Sequence, residues 1–431
     1  MEYYSLNNRK RTTSFKEAVV QGIAPDRGLY VPEKIIRLPH GFFEDIHTLG
    51  HHEIAFRAIH QFVEEDIPEM VLREMLEKVL DFDFPVVPIE ENISTLELFH
   101  GPTMAFKDVG ARFMAHCLGY FSQGENSEVT VLVATSGDTG GAVANGFLGV
   151  DGVNVVILYP SGKVSHIQEK QLTTLGQNIV AMEVEGTFDD CQTMVKKAFL
   201  DADIVEKQKL TSANSINVAR WLPQLFYFLF AYKAMQSKNN SLIFSVPSGN
   251  FGNICAGMVA QKLGMPVKHF IASTNANDVV PKFMKTGAYS PKPSLATISN
   301  AMDVGDPSNF IRIRHLYNND FNTLQENLSS YAFNDDETRK AMSHLFTESN
   351  YVADPHGAVG YLGLKKYQEQ HPDTQGIFLE TAHPVKFLDV VKETLGIDIA
   401  IPPQIEKVLH KTKHSIKIAT YHELKSYLLE R

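Results

Sequence analysis

Lys107 stands in the run His100-Gly101-Pro102-Thr103-Met104-Ala105-Phe106-Lys107-Asp108, just after a turn-forming Gly-Pro pair and at the expected start of a helix. A lysine near a helix N-terminus and among apolar neighbours has its ammonium form disfavoured. An unprotonated amine is what imine formation or proton shuttling requires. Two loops rich in glycine and small polar residues follow, Thr135-Ser136-Gly137-Asp138-Thr139-Gly140 and Ser248-Gly249-Asn250-Phe251-Gly252-Asn253. Glycine permits close backbone approach, and the helix expected after each loop turns free N–H groups and a positive dipole end toward an anion. A third cluster, Asn214-Ser215-Ile216-Asn217-Val218-Ala219-Arg220, joins a helix-start signature to an arginine. It reads as a second oxyanion or phosphate site. One lysine with phosphate-holding loops is the equipment of a pyridoxal phosphate (PLP) enzyme: the lysine forms an imine with the cofactor and a loop holds its phosphate. Taken singly, each feature has a plainer reading: a solvated lysine, a tight strand-to-helix turn, or a cap beside a surface arginine.

Other chemistries fit less well. Gly249-Asn250-Phe251-Gly252 lacks GxGxxG spacing, and Ser161-Gly162-Lys163-Val164 lacks the upstream glycine and the Ser/Thr of a P-loop. His52-Glu53 is followed by Phe56 where a zincin helix needs a second histidine, so the 17 histidines imply no metal. Cys117, Cys191 and Cys255 are odd in number and far apart, which argues for reduced, buried thiols in a cytoplasmic protein. The formal charge of −10 argues against nucleic acid or an anionic membrane as partner. No apolar run reaches membrane-spanning length, and Met1-Glu2-Tyr3-Tyr4 does not begin a secretory signal.

The elements that must position these groups alternate. At 431 residues, two or three domains are expected. Residues 1–95 read as an N-terminal accessory region that packs or covers, with helical spacing from Asp45 to Leu80 and a short extended piece at Gly28-Leu29-Tyr30-Val31-Pro32. Residues 96–431 read as a catalytic region of two α/β lobes, the smaller at about 110–215. Strands are expected at 129–134, 153–159, 179–184, 242–246, 269–273 and 376–380. Helices are expected after residue 140, at 188–200, at 216–235 with a bend near Pro223, and at 255–263. Such alternation predicts parallel sheets with helices on both faces, and ligands beyond the carboxyl ends of the strands. The strand, glycine-loop, helix unit occurs twice, near 129–148 and 242–263, with a cleft expected between the lobes.

Taken together and in order, these motifs resemble the threonine synthases, most closely the longer bacterial and fungal type. The resemblance spans nearly the whole chain. It rests on Gly28-Leu29-Tyr30-Val31-Pro32, Leu98 to Thr103 with Phe106-Lys107-Asp108, Ala134 to Gly140, Ser212 to Asn217, Val246 to Gly252, Ser299-Asn300-Ala301-Met302-Asp303-Val304 and Thr381-Ala382-His383-Pro384. It implies a tryptophan-synthase-like PLP enzyme of fold type II that converts O-phospho-L-homoserine and water to L-threonine and phosphate. By the same resemblance Lys107 carries PLP and then shuttles protons. Ser248, Gly249, Asn250, Phe251, Gly252 and Asn253 hold the cofactor phosphate, and Thr381 offers its hydroxyl to the pyridine nitrogen. Asp138 stands where many relatives of the fold have Asn beside the cofactor 3′-oxygen, and the longer threonine synthases share this Asp. Thr139, Asn214, Ser215, Arg220 and Asn250 match positions that bind the substrate phosphate, with Arg112 and Lys163 as further basic candidates. The partner is then a small molecule and the enzyme a monomer or homodimer. Three rivals stay open on the residues alone: a phospho-lyase releasing 2-oxobutyrate and ammonia from the same site, another fold type II enzyme such as a threonine deaminase, and a non-catalytic PLP- or phosphate-binding protein.

Overall fold

In the computed structural model, which describes residues 1–123, 128–235 and 241–430, the alternation resolves into two parallel-rich sheets. The larger has six strands in the order Leu328–Ala332, His269–Thr274, Leu242–Pro247, Gln375–Glu380, Ile93–Glu97, Val86–Glu90. Only the last pair is antiparallel. The smaller sheet has five strands, all parallel: Ile416–Ile418, Ile179–Val184, Val153–Pro160, Val129–Ala134, Lys209–Thr211.

Central strands such as Val129–Ala134 and Leu242–Pro247 are buried at every residue, as their unbroken apolar runs require when both faces are covered. Alternation then decides which helices each side chain meets. Ile243 and Ile271 pack with Met342, Leu345 and Tyr361 on one face, whereas Phe244, Val246 and Phe270 join Phe228 and Met258 on the other. In the smaller sheet Leu132, Val156 and Leu158 face Met194, Leu424 and Leu428. Val131, Val133 and Val155 face Phe113, Val143 and Phe147. The C-terminal helix Tyr421–Glu430 therefore completes the smaller lobe, far in sequence from the rest of it.

The expected boundary between residues 95 and 96 falls inside strand Ile93–Glu97, which is built into the larger sheet. The N-terminal region forms a small antiparallel sheet, with Tyr3–Ser5 between Asn8–Thr13 and Tyr30–Pro32, and helices Phe15–Gln21, His51–Val63 and Glu69–Val79. Its Tyr3, Phe15, Ile59 and Phe62 enter the same core as Phe113 and Phe226. The expected list of strands is incomplete. It omits Tyr3–Ser5, Asn8–Thr13, Val86–Glu90, Ile93–Glu97, Lys209–Thr211, Leu328–Ala332 and Ile416–Ile418, which are short or partly exposed and lack a continuous apolar run.

Arg312 ties the N-terminal region to the third sequence cluster. It is fully buried and donates to the carbonyls of Tyr30 (3.0 Å), Ser215 (3.1 Å) and Ile216 (2.5 Å), and to Oδ1 of Asn309. Its guanidinium also lies 4.9 Å from the Trp221 ring centroid. Burial pushes its pKa down to about 9, still above neutrality, so it acts as a cation held by carbonyl dipoles. Arg312→Met strands several buried acceptors at once. We expect a loss of about 3 to 5 kcal/mol in unfolding free energy. A denaturant titration reads it, and a loss under about 1 kcal/mol refutes the clamp.

Candidate active site

Lys107 is the first residue of helix Lys107–Phe121, and the turn that delivers it is sewn to the end of the central strand Gln375–Glu380. The Phe106 N–H donates to the Thr381 carbonyl (2.9 Å), Ala105 bridges Ala382, and the His383 N–H donates to the Met104 carbonyl (3.1 Å). Met104 sits at φ 57°, a left-handed conformation that costs energy for a side chain with Cβ and is sustained by this stitching. Asp108 locks the turn from inside by accepting from the Thr103 N–H (2.9 Å) and the Thr103 hydroxyl. Thr381 is therefore one backbone hydrogen bond away from the residue before Lys107, although 274 positions separate Thr381 from Lys107 in the sequence (381 − 107).

The Lys107 side chain is partly exposed along its length, and its amine lies 5.6 Å from the Phe106 ring centroid. Burial pushes its pKa down to about 8. Asp138 pulls it the other way, while Arg220 and Lys386 add to the depression. Asp138 opens helix Asp138–Gly146, so the helix begins inside the glycine loop and not after residue 140. Its Oδ1 accepts from Lys386 Nζ (2.7 Å) and from Gln168 Nε2 (3.1 Å). Burial opposes its ionisation, yet the ammonium groups of Lys386 and Lys107 hold its pKa at about 2. Gly137, at φ 146°, passes so close to Gln168 that an added Cβ would stand 2.5 Å from its amide, which leaves no room for a side chain. Thr135 Oγ1 satisfies the N–H groups of Gly137 and Gly140 (3.0 and 2.8 Å). As at any helix start, the first-turn N–H groups of Asp138 and Thr139 have no acceptor within their helix and suit an anion.

The second loop is clamped from three sides. The Ser248 N–H donates to the Ser273 carbonyl (2.8 Å), Ser248 Oγ to the Val246 carbonyl (2.8 Å), and Asn253 Nδ2 to the Pro247 carbonyl (2.9 Å). Phe251, buried at φ 62°, turns the chain into helix Gly252–Lys262. Gly249 abuts Ala301 and Met302, where a Cβ would lie 2.8 Å from a carbonyl oxygen. That places the motif Ser299 to Val304 against the loop. His356 holds this segment: its Nε2 accepts from the Ala301 N–H (3.2 Å), which requires the proton on Nδ1, and Nδ1 donates to Asp354 (2.5 Å). Asn250 serves the loop's other flank, accepting from the Asn309 N–H through its carbonyl (3.1 Å) and from the Ser308 N–H through Oδ1 (3.3 Å).

The third cluster reaches both loops. Asn214 Nδ2 donates to the Ala134 carbonyl (3.1 Å) at the end of the first unit's strand. Ser215 Oγ accepts from Asn309 Nδ2 (3.0 Å), and Ser215 lies against Gly252. Asn217 caps helix Val218–Trp221. Arg220, 3% exposed, donates from Nε to the Ala213 carbonyl (2.7 Å) and from Nη1 to the Lys107 carbonyl (3.2 Å). Burial lowers its pKa to about 10, so it is a cation at neutral pH. Of the two further basic candidates, Arg112 binds Asp81 (2.9 Å from Nη2) and the Lys78 carbonyl in the N-terminal region. Lys163 is exposed on the turn after Val153–Pro160. Lys386, Gln168, Asn309 and His356 were not anticipated. Lys386 lies two residues past the Thr381–Pro384 motif between apolar neighbours, the same signal that singled out Lys107.

The donor set fits PLP: a depressed lysine for the aldehyde, N–H groups at two helix starts for a phosphate, and a buried hydroxyl at Thr381. A family model described as pyridoxal-phosphate dependent enzyme matches residues 94–379. Models described as threonine synthase N terminus and threonine synthase, C-terminal match residues 2–80 and 357–427. The chain is 42% identical over 406 residues to the threonine synthase of Escherichia coli, with 94% of each covered. It is 35% identical over 448 residues to that of Saccharomyces cerevisiae, covering 90% of this chain and 87% of the relative. The crystal structure of the Escherichia coli threonine synthase superposes with a TM-score of 0.94 at 40% identity, covering 100% of both chains. A PLP-bound threonine synthase from Brucella melitensis gives 0.92 at 30% identity, covering 100% of this chain and 99% of the other. Family models along most of the chain, relatives well above 30% identity and a near-complete structural match leave one conclusion: the chain belongs to the threonine synthase family of PLP-dependent enzymes.

Proposed function

We propose that the enzyme takes O-phospho-L-homoserine and water to L-threonine and inorganic phosphate, with Lys107 as the catalytic residue. The observation that carries this reading is the hydrogen bond from buried Arg220 to the carbonyl of Lys107. It sets an anion-binding cation within one residue of the reactive amine, as a substrate with both an amino group and a phosphate requires. In the loop from Ser248 to Asn253 the backbone N–H groups after Ser248 would hold the phosphate of PLP, Ser248 and the Asn253 amide being spent on bracing the turn; Thr381 would hold its ring nitrogen, and Asp138 the neighbourhood of its 3′-oxygen. PLP supplies the electron sink that acidifies the carbons next to the substrate amine.

The remaining work falls to the chain. Lys107, with a pKa near 8, exists partly as free amine at neutral pH and can take a proton and return it to an adjacent carbon. Arg220, Asn214, Ser215, Thr139 and the side-chain amide of Asn250 would bind the leaving phosphate. They stabilise the charge that grows on it as the bond to carbon breaks. Asp138 and Lys386 are buried next to this site, where a low dielectric strengthens every charge that acts on Lys107.

No helix among the described residues is long and apolar enough to cross a membrane. The three cysteines are buried and unbridged, and we place the enzyme in the cytoplasm as a monomer or homodimer. The deciding experiment quantifies phosphate, threonine and 2-oxobutyrate together after incubating PLP-loaded protein with O-phospho-L-homoserine. Threonine equal to phosphate is expected. Phosphate matched by 2-oxobutyrate makes the protein a phospho-lyase, and no phosphate rejects the substrate.

A further inference from the structure

The charges of two lysines act on the buried carboxylate of Asp138, and one of them, Lys386, bonds it directly. Lys386 is 1% exposed, sits in the 3-10 turn Pro384–Phe387, and makes the 2.7 Å bond to Asp138. Gln168 donates to the same oxygen from the capping box of helix His166–Thr173. Asp138 is thus fixed from two elements, and its charge acts on Lys107 at the start of a third. We propose that Lys386 is a positioning residue: by engaging the Asp138 carboxylate it denies Lys107 a counter-ion and so keeps the Lys107 amine available as nucleophile and base at neutral pH. The inference rests on the assignment of Lys107 as the PLP-bearing residue.

Charge as seen from Lys107 decides the effect. The charged groups acting on Lys107 are Asp138, Arg220 and Lys386; His356, near Asp138, is neutral in the tautomer that accepts from Ala301. With Lys386 in place, Asp138 and Lys386 form a pair of zero net charge, and burial together with Arg220 governs Lys107. Without Lys386, Lys107 faces an unpaired carboxylate in a low-dielectric site. An opposite charge nearby favours the ammonium form and raises a lysine's pKa. A carboxylate that paired with Lys107 instead of Lys386 would therefore silence the amine at neutral pH. Asp138 alone has the wrong sign of effect for an imine-forming lysine, which gives a physical reason for a second buried ammonium at this position.

The test follows the rate at which full-length protein, freed of PLP, captures added PLP as an imine, measured by its absorbance as a function of pH. The wild-type midpoint is expected near 8. Lys386→Met should raise it by about one pH unit or more, and slow capture at neutral pH by about tenfold. Lys386→Arg, which keeps the cation, should stay near wild type. The double variant Lys386→Met with Asp138→Asn removes both charges and should return the midpoint toward the wild-type value. A purely structural Lys386 predicts slow capture with an unmoved midpoint, and no recovery in the double variant. Either result overturns the proposal. If Lys386→Met does not fold, Lys386→Gln carries the same expectation. Absence of any imine in the wild-type protein refutes instead the assignment of Lys107 itself.

Discussion

Lys107→Ala is expected to lose at least ~10⁴-fold in turnover, since it removes both the covalent attachment of PLP and the group that moves protons between adjacent carbons. The imine absorbance should vanish with it. The fold should survive, because the turn is held through backbone groups of Met104, Ala105 and Phe106 and through the Asp108–Thr103 bonds, none of which needs the lysine side chain. Alanine is also the best helix former for the first position of Lys107–Phe121. Stability gives an independent check. In the folded chain without PLP the Lys107 pKa lies near 8, against 10.5 for a free lysine. Between these values the unfolded chain binds more protons, so the Lys107 contribution to stability improves as pH rises through this window and is unfavourable below it. The alanine variant escapes that penalty. At neutral pH its apo form should unfold at the same temperature as wild-type apo protein, or higher. Retained turnover refutes the catalytic assignment. A marked fall in apo stability refutes the account of a desolvated amine.

The parts of this site that were legible in the sequence are those where local chain chemistry suffices. Val129–Ala134 and Leu242–Pro247 announce themselves because strands covered on both faces must be apolar at every position. Each glycine loop next to such a strand then falls at a helix start. The bend at Pro223 appears as the break between Val218–Trp221 and Leu225–Met235. Partners distant in sequence are a different matter. Lys386 and Asp138 are 248 residues apart, and nothing in either neighbourhood names the other. Arg312 reads as one more basic residue of a short helix until the carbonyls of Tyr30, Ser215 and Ile216 are brought to it. The strand Ile416–Ile418 has two exposed residues of three and pairs only because the smaller sheet offers it an edge. Local propensity could not identify it. Arg112 shows the converse: named with the resemblance as a further basic candidate for the substrate phosphate, it gives its guanidinium in the structure to Asp81 and the Lys78 carbonyl.

Arg220→Ala is the second large effect, and its interpretation depends on separating two roles of one side chain. The guanidinium holds the carbonyls of Ala213 and Lys107 and, on our reading, the substrate phosphate. Losing a buried, charge-assisted anion contact costs about 3 to 4 kcal/mol, or ~10²- to 10³-fold in kcat/KM for O-phospho-L-homoserine. Losing the two carbonyl contacts costs stability, about 2 to 4 kcal/mol at the range of unsatisfied buried acceptors. Substrate kinetics alone would mix these. Competitive inhibition by inorganic phosphate separates them, because phosphate needs the anion site and does not need an aligned Lys107. If Arg220 binds phosphate, the inhibition constant should rise in step with the loss in kcat/KM, while PLP affinity changes by less than about tenfold. If it only braces the Lys107 turn, phosphate should inhibit as before, and PLP capture and substrate use should fall together. The second outcome would move the anion site to Asn214, Ser215 and the N–H groups at the start of Asp138–Gly146. Those groups carry no full positive charge, so a phosphate left to them would bind less strongly as a dianion.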